Sequence, residues 1–173
     1  PLTTELFNNG VLVDDGEVGF CTGDIALVLA SSSGGGEPYS YTWYDANIGP
    51  PAILVNSPVI TFTEPGNYSL ITTNSAGCIT ENLFTVVEYP ELQVNIGSDV
   101  SCPGEDSWLY VVNEPVGGES PYFYEWYYDV DNNGLDVNDP LITSGPNQTF
   151  IGVTEYGTYF LVVTDDNGCT VQA

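Results

Sequence analysis

The sequence predicts an all-β chain of two tandem β-sandwich domains, on three observations. First, it repeats itself: Cys21-Thr22-Gly23-Asp24 recurs as Cys102-Pro103-Gly104-Glu105, and Gly35-Gly36-Glu37-Pro38-Tyr39-Ser40-Tyr41-Thr42-Trp43 recurs as Gly118-Glu119-Ser120-Pro121-Tyr122-Phe123-Tyr124-Glu125-Trp126. Gly66-Asn67-Tyr68 matches Gly157-Thr158-Tyr159, and Ala76-Gly77-Cys78 matches Asn167-Gly168-Cys169, in the same order. Repetition on this scale marks duplicated structural units. Second, apolar residues alternate with a period of two, which signals strands with one buried face. Third, Gly, Pro, Asn and Ser clusters separate the runs, and no helical stripe of useful length occurs.

Along each repeat the elements read in sequence. Val11 to Val13, matched with Leu92 to Val94 by aligning Cys21 on Cys102, reads as a first strand. Ile25, Leu27 and Leu29 then alternate, as do Trp108, Tyr110 and Val112. Tyr39, Tyr41 and Trp43 pair with Tyr122, Tyr124 and Trp126, and Tyr68, Leu70 and Thr72 pair with Tyr159, Leu161 and Val163. Trp43 and Trp126 read as the central core tryptophans rather than as sugar-stacking platforms. Tyr44, Tyr127 and Tyr128 are expected to reach the surface. After Cys78 a last strand continues through Leu83, Thr85 and Val87 to Tyr89.

Composition bounds function. The chain has 24 Asp plus Glu against no Lys, Arg or His, a net charge of −24. Nucleic acid requires cationic side chains to displace phosphate counterions, and anionic membranes repel such a surface. No apolar run spans a bilayer, so membrane insertion is not expected. Most general-base, Schiff-base and phosphoryl-transfer chemistry also lacks a candidate residue. Carboxylate pairs could hydrolyse glycosides, but pairs arise by chance among so many acids, and no catalytic residue is assigned. A 42% hydrophobic, 13% aromatic content argues for a folded chain with an acidic surface.

The Cys-x-Gly-Asp/Glu start, the Gly-Gly-x-x-Pro-Tyr-x-Tyr-x-Trp strand, the Gly-x-Tyr and the Asp/Asn-x-Gly-Cys turn resemble the PKD-like, immunoglobulin-like repeats of Bacteroidetes-type extracellular surface and gliding adhesins. The resemblance covers nearly the whole chain. It implies two immunoglobulin-like (PKD-like) β-sandwiches, bacterial export to the cell surface, often by the type IX route, and a spacer or adhesive role without catalytic residues. The total lack of Lys and Arg departs from such repeats.

The chain ends suggest how repeats connect. With the cysteines aligned, residues 1–9 are surplus and resemble a last strand, residues 10–90 form a first domain, and residues 91–173 form a second domain short of its last strand. Leu2, Thr4, Leu6 and Phe7 are then expected to be an assembly strand that completes a preceding domain or subunit. Its partners would be copies of the chain joined head to tail, or adjacent repeats of one long polypeptide. A polysaccharide held by Tyr44, Tyr127, Tyr128 and an acidic loop is the alternative partner.

Cys21, Cys78, Cys102 and Cys169 suggest disulfides in an oxidising compartment. Pairing inside each repeat, Cys21–Cys78 and Cys102–Cys169, is one expectation. The positions could instead lie at opposite ends of a domain and bridge neighbours. Asp129, Asp131, Asn133 and Asp136 place oxygen ligands at alternate positions around a turn glycine, as in the first half of an EF-hand loop. Pro140 replaces the bidentate acid, so the choice lies between a looser calcium site, with Asp139 as a further ligand, and a solvated Asn-Gly turn. No other cofactor is expected. Asn67-Tyr68-Ser69 and Asn147-Gln148-Thr149 are glycosylation triplets left unassigned.

Overall fold

A computed structural model of the chain describes residues 1–48, 55–99, 102 and 105–173; Pro103 and Gly104 of the second turn motif lie outside them. The chain divides into two compact units, Pro1–Tyr89 and Pro90–Ala173.

In the first unit the strands are β1 (Thr3–Asn8), β2 (Val11–Leu12), β3 (Glu17–Cys21), β4 (Ala26–Ser33), β5 (Ser40–Asp45), β6 (Val59–Phe62), β7 (Gly66–Thr73) and β8 (Ile79–Tyr89). They form two sheets, ordered β2-β1-β4-β6 and β3-β8-β7-β5. All ladders are antiparallel except β3 with β8, which run parallel from Glu17 opposite Thr85 to Cys21 opposite Tyr89. Trp43, fully buried, stands between the sheets with Phe84 edge-on at 5.9 Å and Phe62 at 6.3 Å. Its indole N–H donates to the Ser57 carbonyl at 2.7 Å, so burial leaves no orphaned donor.

The second unit contains β9 (Ile96–Ser98), β10 (Ser107–Val111), β11 (Phe123–Asp129), β12 (Leu141–Gly145), β13 (Phe150–Val153), β14 (Thr158–Thr164) and β15 (Thr170–Gln172). Its sheets are ordered β13-β10-β9 and β12-β11-β14-β15. Trp126 repeats the part of Trp43: fully buried, opposite Leu161 as Trp43 is opposite Leu70, its N–H on the Gln148 carbonyl at 2.8 Å. Tyr68 and Tyr159 likewise donate to the backbone carbonyls of Glu64 and Glu155 at 3.1 and 2.8 Å. The chain is therefore all-β, two tandem immunoglobulin-like sandwiches.

The N-terminal assembly strand is not found. Thr3–Asn8 pairs with β4 of its own unit along its full length, from Thr3 opposite Ser33 to Asn8 opposite Val28. Leu6 is 5% exposed in that unit's core, Leu2 and Thr4 are half-buried, and Asn82 donates its amide to the Thr4 carbonyl at 3.1 Å. The glycines reveal the correct equivalence. Gly34 and Gly117, both at positive φ, press against the backbone of Pro1-Leu2 and Glu91-Leu92 respectively. Residues 1–8 therefore match residues 91–98, and the surplus in the first repeat lies between Asn8 and Cys21, where β2 and β3 sit. Aligning on the cysteines put that surplus at the chain end. The first unit thus begins at Pro1, not at residue 10.

The period of two holds, but its phase is inverted on three strands. Ala26, Val28 and Ala30 face the core, whereas Leu27 and Leu29 are each 44% exposed. In the second unit Leu109 and Val111 pack on the core, and Trp108 and Tyr110 turn outward. On β8 likewise Phe84 and Val86 are buried and Leu83 is exposed. The rings of Trp43, Phe62, Tyr68 and Phe84 fill the space between the sheets, so small residues suit the inner face of β4. Outward Leu29 is sheltered instead by its neighbours in register, Phe7 and Val59.

Because Leu6 belongs to its own unit's core, Leu6→Ala is expected to destabilise that unit by about 2–4 kcal/mol. Hydrogen exchange read separately in the two units checks this: protection falls in β1 and β4, is unchanged in β11 and β14, and does not depend on protein concentration.

Candidate functional site

The loop between β11 and β12 gathers carboxylates without any cationic side chain in the chain to meet them. Asp129 ends β11 with 3% of its surface exposed. Beyond it the backbone reverses through Asn132 at φ +59° and Gly134 at φ +99°, a conformation that favours Asn and Gly. That reversal aims N–H groups back at Asp129. Its Oδ1 accepts from Asn132 at 2.6 Å and Asp131 at 3.3 Å, and its Oδ2 accepts from Gly134 at 3.2 Å. Asp139, 7% exposed, returns from the far side of the loop and accepts the N–H of Val130 at 3.1 Å and of Asp136 at 2.8 Å.

Asp129, Asp131 and Asp139 each bring a carboxylate oxygen within 4.8 Å of the others. Oxygens sharing one calcium, at 2.3–2.6 Å each, lie no more than about 5 Å apart. The three carboxylates have that spacing and retain unused lone pairs after their backbone bonds. Of the residues singled out in the sequence, Asp129 and Asp131 are brought together. Asp136 neighbours this group without joining it, its two oxygens accepting from the backbone and amide of Asn138 at 2.7 and 3.2 Å. Asn133 turns its amide nitrogen to Asp131 at 2.9 Å. In the first unit the matching turn is built differently: Asp45 caps Asn47 at 2.8 Å.

The carboxylates titrate in opposite directions. Burial pushes the Asp129 carboxyl up, but the N–H groups of Gly134, Asn132, Asp131 and Asn133 outweigh it and hold the group below the ordinary aspartate value. Asp131 is raised, first by burial, then by the charge of Asp136 and, more weakly, of Asp129 and Asp139. The folded state therefore gains stability from Asp129 above its ordinary pKa, and loses that gain as pH falls through the depressed value. Asp131 acts oppositely, destabilising the fold as pH rises through its raised value.

The cysteines do not pair inside their repeats. Cys21 and Cys169 are disulfide-bonded, whereas Cys78 and Cys102 are exposed free thiols, so neither Cys21–Cys78 nor Cys102–Cys169 forms.

The tyrosines proposed for glycan contact are half-buried. Tyr128 covers Gly157, packs on Tyr159 at 5.1 Å and donates to the Tyr156 carbonyl at 3.3 Å. A flatter aromatic surface lies on the outer face of β13-β10-β9. Trp108, 47% exposed, lies over Gly152, Tyr110 lies over Gly97, and Phe150 packs on Trp108 at 5.8 Å. The glycines beneath let both rings lie against the sheet with an outer face open. Reading Trp108 and Tyr110 as core residues concealed this surface; the glycines opposite them in register were the available signal. Among the described residues no helix is long and apolar enough to cross a membrane.

No family model matches the sequence, and no curated protein matches it. Solved structures do resemble it. The fibronectin(III)-like modules of CbhA from Clostridium thermocellum superpose with a TM-score of 0.56 at 8% identity, covering 97% of this chain and 90% of theirs. Murine CEACAM1b gives a TM-score of 0.37 at 12% identity, covering 95% of this chain and 93% of its own. The N-terminal Ig1-2 module of the Drosophila receptor protein tyrosine phosphatase DLAR gives 0.35 at 15%, covering 100% and 95%. At 8% identity the likeness to the CbhA modules concerns the fold alone.

Carboxyl-detected NMR titration is expected to place Asp131 above the ordinary aspartate midpoint and Asp129 below it. Equal midpoints for the two would show that the N–H groups aimed at Asp129 do not act on its charge.

Proposed function

We propose that the chain is a structural repeat, or protomer, of an extracellular filament or bacterial cell-surface adhesin stalk, joined head to tail. The observation that carries this reading is the matched construction of two sandwiches around Trp43 and Trp126, in a chain whose 24 carboxylates, most of them at the surface, face no side-chain cation. Such a surface keeps neighbouring fibres soluble and apart. With no Lys or Arg, the chain also offers trypsin-like proteases no cleavage site. No catalytic role is part of the proposal. The disulfide state of Cys21 and Cys169 supports an oxidising compartment, and the repeat motifs support the Bacteroidetes-type surface family.

The open edge of β14 supports joining. In the first unit Asn67, Tyr68 and Ser69 pair with Thr85, Phe84 and Leu83 of β8. No pairing on that side is found for their counterparts Thr158, Tyr159 and Phe160 among the described residues, where the β15 segment pairs with Leu161 to Thr164. A strand from a neighbouring repeat or copy would cover that edge. The carboxylates of Asp129, Asp131 and Asp139 are proposed to bind calcium, which would stiffen the β11–β12 loop of the second unit.

A second reading, polysaccharide binding, is favoured by the open ring faces of Trp108 and Tyr110. Aromatic faces of this kind stack on ligands in sites that combine apolar area with a few polar groups.

Negative-stain imaging tests the first reading: thin unbranched fibres with a regular axial repeat are expected from concentrated protein. Uniform isolated particles at every concentration, with and without reductant, would overturn it. Millimolar calcium is expected to lower the Asp131 titration midpoint, and an unchanged midpoint would remove the metal. For the second reading, Trp108→Ala is expected to abolish retention on polysaccharide affinity gels while leaving thermal unfolding within a few degrees.

A further inference from the structure

The four cysteines occupy two kinds of turn, one of each kind per unit. Cys21 and Cys102 accept, on their carbonyls, the N–H of the residue three positions on, Asp24 at 2.9 Å and Glu105 at 3.0 Å. Cys78 and Cys169 donate their N–H to a side-chain oxygen four positions back, that of Asn74 at 2.8 Å and Asp165 at 2.7 Å. Their carbonyls accept the N–H of those same residues, at 3.0 Å in both units. The backbone thus treats the two members of each kind alike.

Their chemical states differ. Cys21 of the first kind and Cys169 of the second are disulfide-bonded, while Cys102 of the first kind and Cys78 of the second are exposed thiols. Cys169 is 4% exposed, whereas its counterpart Cys78 is open to solvent. Each kind of turn therefore presents a cysteine that forms a disulfide, and each has a second cysteine that lacks one.

We propose that Cys102 of one copy forms a disulfide with Cys78 of the next. This deepens the head-to-tail reading above and rests on it. Both thiols are free in the same chain, so the missing partner comes from a second copy. A bond between unlike positions leaves every linked pair with one Cys78 and one Cys102 still available. Such a heterologous link does not close, and the chain of copies grows. It also answers a physical difficulty. Each copy carries a charge of −24 with no cation to offset it, so noncovalent docking is opposed by repulsion that salt screens only beyond about 8 Å.

Oxidation needs an acceptor, and a small-molecule disulfide such as oxidised glutathione supplies it. The Cys102 thiolate attacks that disulfide, forming a mixed disulfide and releasing one glutathione thiolate. The Cys78 thiolate of the second copy then attacks the Cys102 sulfur and expels the other glutathione. Two protein thiols are oxidised, one oxidised glutathione is reduced to two molecules of glutathione, and the two thiol protons pass to them.

The test mixes ¹⁵N-labelled and unlabelled protein under oxidised glutathione, with a parallel sample in reductant. Cleavage before aspartate isolates each cysteine on its own peptide, with Cys78 in residues 45–98 and Cys102 in residues 99–105. The expected result is a non-reducing ladder, with the two peptides cross-linked and about half of those cross-links carrying one label. Cys78→Ser and Cys102→Ser proteins should each remain single alone and give only a dimer when mixed. Symmetric Cys78–Cys78 or Cys102–Cys102 links, a link within one copy, or glutathione adducts alone would overturn the proposal. Fibres that form in reductant without the cross-link would overturn it while leaving the filament reading intact. Cross-linked chains that never form fibres would do the reverse.

Discussion

The chain must manage its carboxylates without a single Lys, Arg or His, so backbone N–H groups do the work that salt bridges do elsewhere. Asp129 collects three such donors by ending β11 at a sharp reversal, and Asp139 collects two from the opposite limb of the same loop. Asp165, 5% exposed, accepts from Glu119 at 2.9 Å and Cys169 at 2.7 Å. Hydrogen bonds to the ionised form offset the cost of burying charge. They also fix the loops, because each carboxylate bonds residues two to five positions away or clamps a separate segment. The acidic composition and the loop geometry are therefore one constraint.

Much of the fold was legible because duplication gives two independent views of each strand. Trp43 with Trp126, Leu70 with Leu161 and Tyr68 with Tyr159 fell on the inner face as their alternation predicts. Phase was not legible on β4, β8 and β10. There the outer face carries residues as apolar as the inner, and size misleads: Ala26 and Ala30 are inside while Leu27 and Leu29 are outside. Alternation reports a period, and only contrast between faces reports its phase.

The first strand was misplaced for a related reason. Leu2 to Phe7 has the pattern of any half-buried strand, and the cysteines offered an anchor that insertion of β2 and β3 had shifted. The glycine contacts that restore the alignment, Gly34 on Pro1 and Gly117 on Glu91, depend on close backbone approach, which the sequence does not display. At the acidic loop, residue type and spacing pointed to Asp129 and Asp131. Asp139 joins them through the return of the chain into β12 and was legible only as a secondary choice.

Comparing the units shows how one turn can be met by two chemistries. Asn74 and Asp165 occupy the same place before a Gly-Cys pair, and each accepts the N–H of that cysteine. Asp165 has a second oxygen, and it accepts the N–H of Glu119 from the loop leading into β11. Asn74 presents Nδ2 there instead, pressed toward Gly35, and that buried amide finds no acceptor. An unpaired buried donor costs about 1–3 kcal/mol, so the neutral residue is the worse fit to the turn by hydrogen bonding. The acidic residue satisfies every contact but adds a buried charge with no cation near it. The two solutions are exchangeable because the cysteine N–H, common to both, is what the turn must hold in place.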